Sequence, residues 1–373
     1  MRINYVMGII FPNVHDDLLP EMTANRSMGS IPFYGRYRLI DFSLSNLVNA
    51  GISKVGVIAK SNYQSLMDHL SSGKPWDLDR KKGGLYILPP YGRSETKVYT
   101  GHIDALQGAM SFIKDSTEQY VVMCGANVVS NFDMEAMIDS HIKTGADVTI
   151  AYKRGKLPKN HRDIMSFQFD ENSRVTEILL SNKIEKDCDF SLDVTIIERN
   201  MLIHLIEEAS DRNQTNLARD IFQPNVNNLK IFGWEVDDFA AVMDSTESYV
   251  NVTEELLNNP IARKQLFTSE RPVFTKTRDD MPTKYGLACD VTDSIVADGC
   301  IIDGTVKSSV LFRGVHVAEG AVIENCILMQ DCLIGKNVHI KHVTTDKNVI
   351  INEGTSMSGA PSYPVFIKKG ANV

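Results

Sequence analysis

The sequence IVADGCIIDGTVKSSVLFRGVHVAEGAVIENCILMQDCLIGKNVHI, residues 295–340, indicates how the C-terminal part of the chain folds. Apolar residues recur in it at intervals of six and glycines separate them; the apolar residues are Ile295 and Ile301, Val306 and Phe312, Val317 and Ile323, then Leu328, Ile334 and Ile340, and the glycines are Gly299, Gly304, Gly314, Gly320 and Gly335. This repeat predicts a parallel β-helix, in which each strand buries an apolar residue in a stacked core. An antiparallel sheet would need more hairpin turns than the stretch contains. Residues 357–373 are predicted to cap the β-helix.

Upstream of the repeat, strand-like and helix-like stretches alternate up to about residue 255. Apolar runs at 5–11, 55–59, 120–124 and 147–151 are typical of buried strands, and stretches at 134–141, 202–209 and 245–257 are typical of helices. Ser43 is expected to cap a further helix that ends before Gly51, and Gly145 is expected to end another. This alternation predicts parallel strands joined by helical crossovers. The predicted domains are residues 1–255, a linker at 256–286 and a β-helix at 287–373.

Composition excludes several classes of protein. The net charge is −8 and the sequence pI is about 5.6, so no basic stripe is available to neutralise a nucleic-acid backbone. The six cysteines show no C-x-x-C pair, which argues against a zinc site or a disulfide framework of that kind. No apolar run approaches the roughly 20 residues that span a bilayer. We therefore expect a cytoplasmic protein that binds neither nucleic acid nor membranes.

Three segments carry a resemblance to a known family. They are PFYGRYRLIDFSLSN at 32–46, YTGHIDAL at 99–106 and SVLF at 309–312. In these segments, and over essentially its whole length, the chain resembles ADP-glucose pyrophosphorylase (glucose-1-phosphate adenylyltransferase). The resemblance implies an α/β fold: a Rossmann-like nucleotidyltransferase domain with a mixed, mainly parallel sheet, followed by a left-handed parallel β-helix. It also implies a tetramer that makes ADP-glucose from ATP and glucose 1-phosphate with Mg²⁺.

The residues that this reaction requires are replaced at several positions. Transfer to an α-phosphorus needs donors for the triphosphate, a Mg²⁺ held by carboxylates and a cation near the attacking phosphate. The resemblance places the glycine-rich triphosphate loop on residues 13–19, which contain no glycine, and its arginine on Leu18. The family's next lysine falls on Met28, its metal-binding aspartate on Ala126 and its second metal aspartate near Val242. The lysine that holds glucose 1-phosphate falls near residues 180–182.

Other family positions are retained. Gly101, Asp104 and Asn127 match positions around the substrate pocket, where we expect them to be remnants that maintain the fold. The family binds anionic effectors between its domains through basic residues, and Arg26 and Arg38 match such positions, with Arg313 a further candidate. His316, His339 and His342 lie in the repeat, where an acyltransferase would place a catalytic histidine; solvent-facing side chains are the simpler interpretation.

The resulting hypothesis is a non-catalytic, regulatory subunit of a hetero-oligomeric ADP-glucose pyrophosphorylase in glycogen synthesis. Removing one preorganised charge typically lowers a rate by roughly 10²–10³, so five losses are hard to compensate. The implied partner is a catalytic homologue in a heterotetramer, with Mg²⁺ bound by that partner and neither a metal nor a cofactor bound by this chain. The alternatives are an active nucleotidyltransferase with an unusual site, a β-helix acyltransferase and a free-standing binding protein.

Overall fold

The computed structural model describes residues 5–89, 99, 101–158, 160, 164–180, 187–361 and 363–373. Within these ranges, residues up to 266 form an α/β domain. Its strands are β1 (Val6–Phe11), β2 (Pro32–Phe33), β3 (Tyr37–Arg38), β4 (Lys54–Ile58), β5 (Gly84–Leu88), β6 (Tyr120–Gly125), β7 (Val128–Ser130), β8 (Val148–Gly155), β9 (Met165–Phe169), β10 (Val175–Leu180), β11 (Cys188–Glu198), β12 (Ile231–Glu235) and β13 (Ala240–Val242).

The main sheet of this domain is mixed and mainly parallel, as predicted. Its order is β10-β9-β11-β6-β1-β4-β5, and β8 pairs with both β11 and β12. Only β10 and β11 run opposite to the other described strands of this sheet. The strands at 120–124 and 147–151 run in the same direction, as predicted, but they are not neighbours, because the antiparallel strand β11 lies between β6 and β8.

Helices cover the sheet and connect its strands. They are α1 (Pro20–Thr23), α2 (Leu39–Asn49), α3 (Gln64–Leu70), α4 (His102–Gly108), α5 (Met110–Lys114), α6 (Met134–Thr144), α7 (Arg199–Asp211), α8 (Thr246–Asn258) and α9 (Pro260–Leu266). The expected cap at Ser43 is wrong: α2 begins four residues earlier, where Asp41 accepts a hydrogen bond from the backbone N–H of Arg38. Ser43 instead donates to the carbonyl of Gly125 at the sheet. Gly145 does end α6, in the left-handed conformation that glycine adopts without strain.

A stack of parallel strands forms the C-terminal domain. The strands are β14 (Lys284–Tyr285), β15 (Asp290–Thr292), β16 (Ile295–Val296), β17 (Ile301–Ile302), β18 (Thr305–Lys307), β19 (Val310–Leu311), β20 (His316–Val317), β21 (Val322–Glu324), β22 (Ile327–Leu328), β23 (Leu333–Ile334), β24 (His339–Lys341), β25 (Val343–Thr345), β26 (Ile350–Ile351), β27 (Ser356–Ser358) and β28 (Val365–Ile367). Every third strand joins the same sheet, which gives three five-stranded parallel sheets. The predicted parallel β-helix is thereby confirmed, and residues 357–373 complete its last turn through β28.

The phase of the six-residue repeat differs from the prediction in the first turns. Ile302 and Leu311 are buried in the β-helix core, whereas the predicted Ile301 is only half-buried. Phe312 is also fully buried, but it packs against the first domain. Sequence spacing alone does not reveal this, because a residue that faces outward from the β-helix is equally buried when another domain covers it.

The two domains share one apolar cluster. Phe33 and Leu39 of the first domain pack in it with Val310, Phe312 and Met329 of the β-helix. The predicted boundary at residue 255 falls within α8, and the predicted linker at 256–286 contains α9 and β14. No helix within the described residues is long and apolar enough to cross a membrane.

Candidate functional site

A cavity of about 630 Å³ opens at the carboxyl ends of the central parallel strands. In open α/β sheets this edge is where ligands bind. The loop after β1 contributes His15 and Asp17, the segment after β6 contributes Asn127, and the first residues of α4 contribute His102. Asp193 enters from the middle of β11. The cavity therefore collects polar side chains from segments far apart in the sequence.

Two histidines and one aspartate meet on one side of this cavity. His15 Nε2 lies 3.1 Å from Asp193 Oδ2, and His102 Nε2 lies 4.0 Å from Asp193 Oδ1. The His102 ring packs edge-on against Phe11, with the ring centroids 4.8 Å apart. His15 is buried, and the other two residues are half-buried. We name these three residues the His-His-Asp cluster.

The backbone geometry at Asp193 is unusual. The pairing of β11 with β8 shifts register between Ser191 and Thr195, and Asp193 has a φ of 53° there. Left-handed backbone is uncommon outside glycine, although aspartate and asparagine adopt it more readily than most residues. A Cβ on Gly125 would lie 1.9 Å from Asp193 Oδ2. A glycine at 125 is thus required for the Asp193 carboxylate to take this position.

Asn127 lies beside the same spot and is fully buried. Its Oδ1 would lie 3.0 Å from a Cβ on Gly125, so Asn127 and Asp193 approach the space that the missing side chain leaves. Neither Oδ1 nor Nδ2 of Asn127 has a hydrogen-bond partner among the described residues. A buried amide without partners costs roughly 1–3 kcal/mol per group, which a bound ligand or water would recover.

The cavity is acidic. Asp17, Asp193 and Asp244 line it, and no lysine or arginine does so among the residues whose placement is described. The triphosphate of a nucleotide and the phosphate of a sugar phosphate both need positive charge at such a site. Burial raises the pKa of Asp16, in the same loop, to about 6.

Asp16 has a structural role that the sequence did not suggest. Its Oδ1 accepts from the backbone N–H of Met28 at 2.6 Å, and its Oδ2 accepts from Asn13 Nδ2 at 2.8 Å. Asp16 thus ties the loop after β1 to the segment that carries Met28. The next residue, Asp17, lines the cavity.

Positive charge collects instead between the two domains. Arg26 is buried and its Nη2 donates to both carboxylate oxygens of Asp346 in the β-helix, at 2.7 and 2.8 Å. Its Nη1 is buried without a hydrogen-bond partner among the described residues. Burial and the neighbouring Arg38, Arg26 and Arg278 lower the pKa of Lys347 to about 7. We name Arg26, Arg38, Arg278 and Lys347 the interdomain basic cluster.

Arg38 is included in this cluster because its charge interacts with those of Arg26, Arg278 and Lys347. Burial, together with Arg26 and Arg278, lowers the pKa of Arg38 to about 10 against the opposing effect of Asp41. Its Nη1 donates to the carbonyl and hydroxyl oxygens of Ser65, at 2.5 and 3.0 Å. Neighbouring cations thus add to the effect of burial on the pKa values of Arg38 and Lys347.

Both halves of the fold match known families. Residues 18–178 match the nucleotidyl transferase family, and residues 280–361 match the GlmU-like C-terminal hexapeptide family. The glycogen biosynthesis protein GlgD of Bacillus subtilis (strain 168) is 34% identical over 368 residues, which are 98% of this chain and 96% of that protein. The chain belongs to the GlgD family. The hexapeptide match also identifies the β-helix as left-handed, as the resemblance implied.

Two further relatives, one a GlgD protein and one an enzyme, are also similar to this chain. GlgD of Geobacillus stearothermophilus is 34% identical over 321 residues, which are 86% of this chain and 83% of that protein. The glucose-1-phosphate adenylyltransferase of Fervidobacterium nodosum is 30% identical over 352 residues, which are 94% of this chain and 84% of the enzyme. The resemblance to the adenylyltransferase family and to its GlgD branch is confirmed.

Of the four degenerate positions in this GlgD-family chain, two line the cavity. Leu18 and Val242 line it, whereas Met28 is buried in the apolar cluster shared by the two domains. Ala126 is buried, and its Cβ would lie 3.3 Å from a Cβ on Gly29. Apolar side chains thus occupy positions where the catalytic relatives are expected to carry charge. Of the expected sugar-phosphate segment at 180–182, residues 181 and 182 lie outside the described residues.

The retained positions have different surroundings. Gly101 precedes α4 and lines the cavity, and a Cβ there would lie 2.2 Å from the carbonyl oxygen of Thr215. Asp104 lies in the first turn of α4 and is half-buried. Thr100, in the same quoted segment, lies outside the described residues. Gly101 is thus needed for the close packing against Thr215.

Arg313 and the histidines of the β-helix have local roles. Arg313 is buried, and its Nε donates to Asp298 at 3.2 and 3.1 Å. His316 and His339 are exposed on short strands, and His342 is half-buried with a φ of 49°. The sequence suggested Arg313 as a further candidate for the effector site of Arg26 and Arg38. In the structure, Arg278 and Lys347 join Arg26 and Arg38 in the interdomain basic cluster.

Sequence reasoning missed His15, His102, Asp193, Arg278 and Lys347. His15 lies in the glycine-free loop and His102 in the segment at 99–106, but isolated histidines show no metal-ligand spacing. Asp193 lies within an apolar strand, where its bulge is invisible in the sequence. Lys347 stands next to Asp346, and only the domain packing brings that pair to Arg26.

Proposed function

We propose that this chain is a non-catalytic, regulatory subunit of a glucose-1-phosphate adenylyltransferase, assembling with a catalytic homologue in glycogen synthesis. The observation that carries the proposal is the charge of the cavity. Three aspartates and no described lysine or arginine line it, so it repels the phosphates that the reaction requires. The kinship to both GlgD and the adenylyltransferase supports a common assembly. The cytoplasmic location remains a prediction from the sequence.

The runner-up is an active nucleotidyltransferase with unusual residues. It would need the triphosphate to be held against Asp17, Asp193 and Asp244. Each uncompensated charge of this kind typically costs roughly 10²–10³ in rate. The absence of Mg²⁺ binding and of a cofactor in this chain is part of the same proposal, because Ala126 and Val242 offer no metal ligand.

Co-expression with the catalytic homologue from the same genome tests the proposal. We expect the two chains to co-purify and the mixture to show an apparent substrate affinity shifted by roughly 5–150-fold relative to the catalytic chain alone. This chain alone should make no measurable ADP-glucose. Turnover within tenfold of the catalytic homologue, or a mixture that neither co-purifies nor differs kinetically, would contradict the proposal.

A matched pair of variants locates the interface. Leu333 and Ile350 are register neighbours on one sheet of the β-helix and are 43% and 39% exposed. Leu333→Lys should reduce co-purification if this face contacts the partner, because burying an unpaired ammonium is unfavourable. Leu179→Lys is the control, since Leu179 is 38% exposed but lies on β10 in the first domain. Equal co-purification of both variants would exclude this face.

We also propose that the interdomain basic cluster binds a small anionic effector. Arg26 has a buried Nη1 without a described partner, and burial together with three neighbouring arginines lowers the pKa of Lys347. A phosphate or sulfate group would satisfy both. Sulfate affinity, measured by calorimetry, should fall about tenfold in Arg38→Gln and stay unchanged in Arg313→Gln. Equal losses in both variants would contradict the assignment.

A further inference from the structure

The His-His-Asp cluster brings together three metal-binding side chains from distant segments. His15 follows β1, His102 begins α4 and Asp193 lies within β11. One ligand atom from each residue lies within 4.8 Å of the other two. We propose that His15, His102 and Asp193 bind a divalent metal ion on their side of the cavity. The chemistry of these ligands favours Zn²⁺. This inference does not depend on the proposed regulatory function.

The ligand set selects the class of metal. Imidazole nitrogens and a carboxylate oxygen are typical of zinc, at metal–ligand distances of roughly 2.0–2.2 Å. Two such ligands on a tetrahedral ion lie about 3.3–3.5 Å apart; His15 Nε2 lies 3.1 Å from Asp193 Oδ2, and His102 Nε2 lies 4.0 Å from Asp193 Oδ1. One ligand atom from each of the three residues lies within 4.8 Å of the other two, so the side chains must move closer together to bind one ion. Mg²⁺ prefers oxygen ligands in an octahedral arrangement and is disfavoured by the imidazoles.

The surrounding residues hold the three groups in place. Gly125 leaves the space that Asp193 Oδ2 occupies, and Phe11 fixes the plane of the His102 ring. Asp193 itself has the uncommon φ of 53° at a strand bulge. Uncommon backbone geometry of this kind tends to persist where it places a functional group. These contacts preorganise the site, which is what metal binding requires of its supporting residues.

The cavity supplies the remaining coordination and the favourable potential. Three protein ligands leave a fourth position of a tetrahedral ion open to the cavity, as in catalytic zinc sites. Asn127 borders the same space with an amide that has no described partner, and a water or hydroxyl on the metal would provide one. Asp17 and Asp244 add negative charge without a described lysine or arginine in the lining, which favours a cation.

The competing explanation is a hydrogen-bonded cluster without a metal, in which Asp193 orients the two imidazoles. Metal titration separates the two explanations. The protein is freed of metal with a chelator and titrated by calorimetry with Zn²⁺, Co²⁺ and Mg²⁺ in turn. We expect one equivalent of Zn²⁺ or Co²⁺ to bind with micromolar or tighter affinity, visible absorption from the bound Co²⁺, and no comparable Mg²⁺ binding.

The variants are chosen to preserve the fold. Asp193→Asn keeps the side-chain shape and tolerates a positive φ, and His102→Gln removes one imidazole. Each should weaken Zn²⁺ binding at least tenfold and abolish the rise in melting temperature that Zn²⁺ causes. His316→Gln is the matched control, because His316 is exposed on the β-helix, and it should bind as the unmodified chain does.

Three results would overturn the proposal. They are the absence of Zn²⁺ binding at micromolar concentration, binding that both site variants retain in full, and equal binding of Mg²⁺. If Asp193→Asn fails to fold by circular dichroism, His102→Gln alone decides between the explanations.

Discussion

The cavity of the first domain and the interdomain basic cluster have opposite charge, although both contain residues from the segment between β1 and α2. The cavity is lined by Asp17, Asp193 and Asp244, whereas the cluster gathers three arginines and Lys347. In an enzyme that transfers nucleotides, we would expect positive charge where the phosphates react. Here the interdomain basic cluster lies between the domains, where an anion would influence domain packing rather than chemistry.

The two regions also differ in how their charges are compensated. Arg26 has a carboxylate partner, Asp346, and the pair crosses the domain boundary. In the cavity, Asp193 contacts two imidazoles, and the buried amide of Asn127 lacks a described partner. The ligands that we propose for the two regions accordingly have opposite charge: an anion between the domains and a cation in the cavity. The following predictions test this contrast.

The largest expected effect concerns catalysis in the cavity. Ala126→Asp restores one expected metal ligand but leaves the triphosphate without positive partners, so ADP-glucose formation should stay at least roughly 10³-fold below that of a catalytic homologue. A coupled pyrophosphate-release assay with ATP and glucose 1-phosphate measures it. Recovery to within tenfold from this one change would mean that the acidic lining does not prevent the reaction.

Breaking the interdomain ion pair should have the next largest effect. Asp346→Ala leaves Arg26 buried without its partner, which should lower the free energy of unfolding by roughly 3–5 kcal/mol. Glu324→Ala is the control, because its pair with Lys341 is exposed and should contribute less than about 1 kcal/mol. Urea unfolding of both variants measures the difference. Similar losses would show that Arg26 gains nothing from its burial beside Asp346.

The smallest effect is the pH dependence of anion binding. Sulfate keeps its charge between pH 6 and 9, while Lys347, with a pKa of about 7, loses its charge across that range. Sulfate affinity should therefore fall by up to about tenfold as pH rises from 6 to 9. Lys347→Met should bind with little pH dependence, at the level of the unmodified chain at pH 9. Unchanged pH dependence in this variant would exclude Lys347 from the anion site.

The lowered pKa of Lys347 also predicts how the stability of the folded chain changes with pH in the absence of sulfate. Because the folded state disfavours the charged ammonium, the contribution of Lys347 to stability is complete above the unfolded pKa of about 10.5 and is lost as pH falls through about 7. The melting temperature of the unmodified chain should therefore approach that of the Lys347→Met variant as pH rises. The opposite trend would mean that the ammonium is stabilised by the fold.

The sequence by itself determined those features of the fold that depend on periodic patterns and on short segments. The six-residue repeat predicted the β-helix, the run at 32–46 indicated the family, and Gly145 was recognised as the end of α6, because each depends on residues close together in the chain.

Tertiary packing decided the remaining features. The place of β11 between β6 and β8, the burial of Phe312, the meeting of His15, His102 and Asp193, and the approach of Lys347 to Arg26 all join segments far apart in the sequence. Such contacts depend on long-range packing, and no local pattern of residue types encodes which distant segment will come to lie alongside.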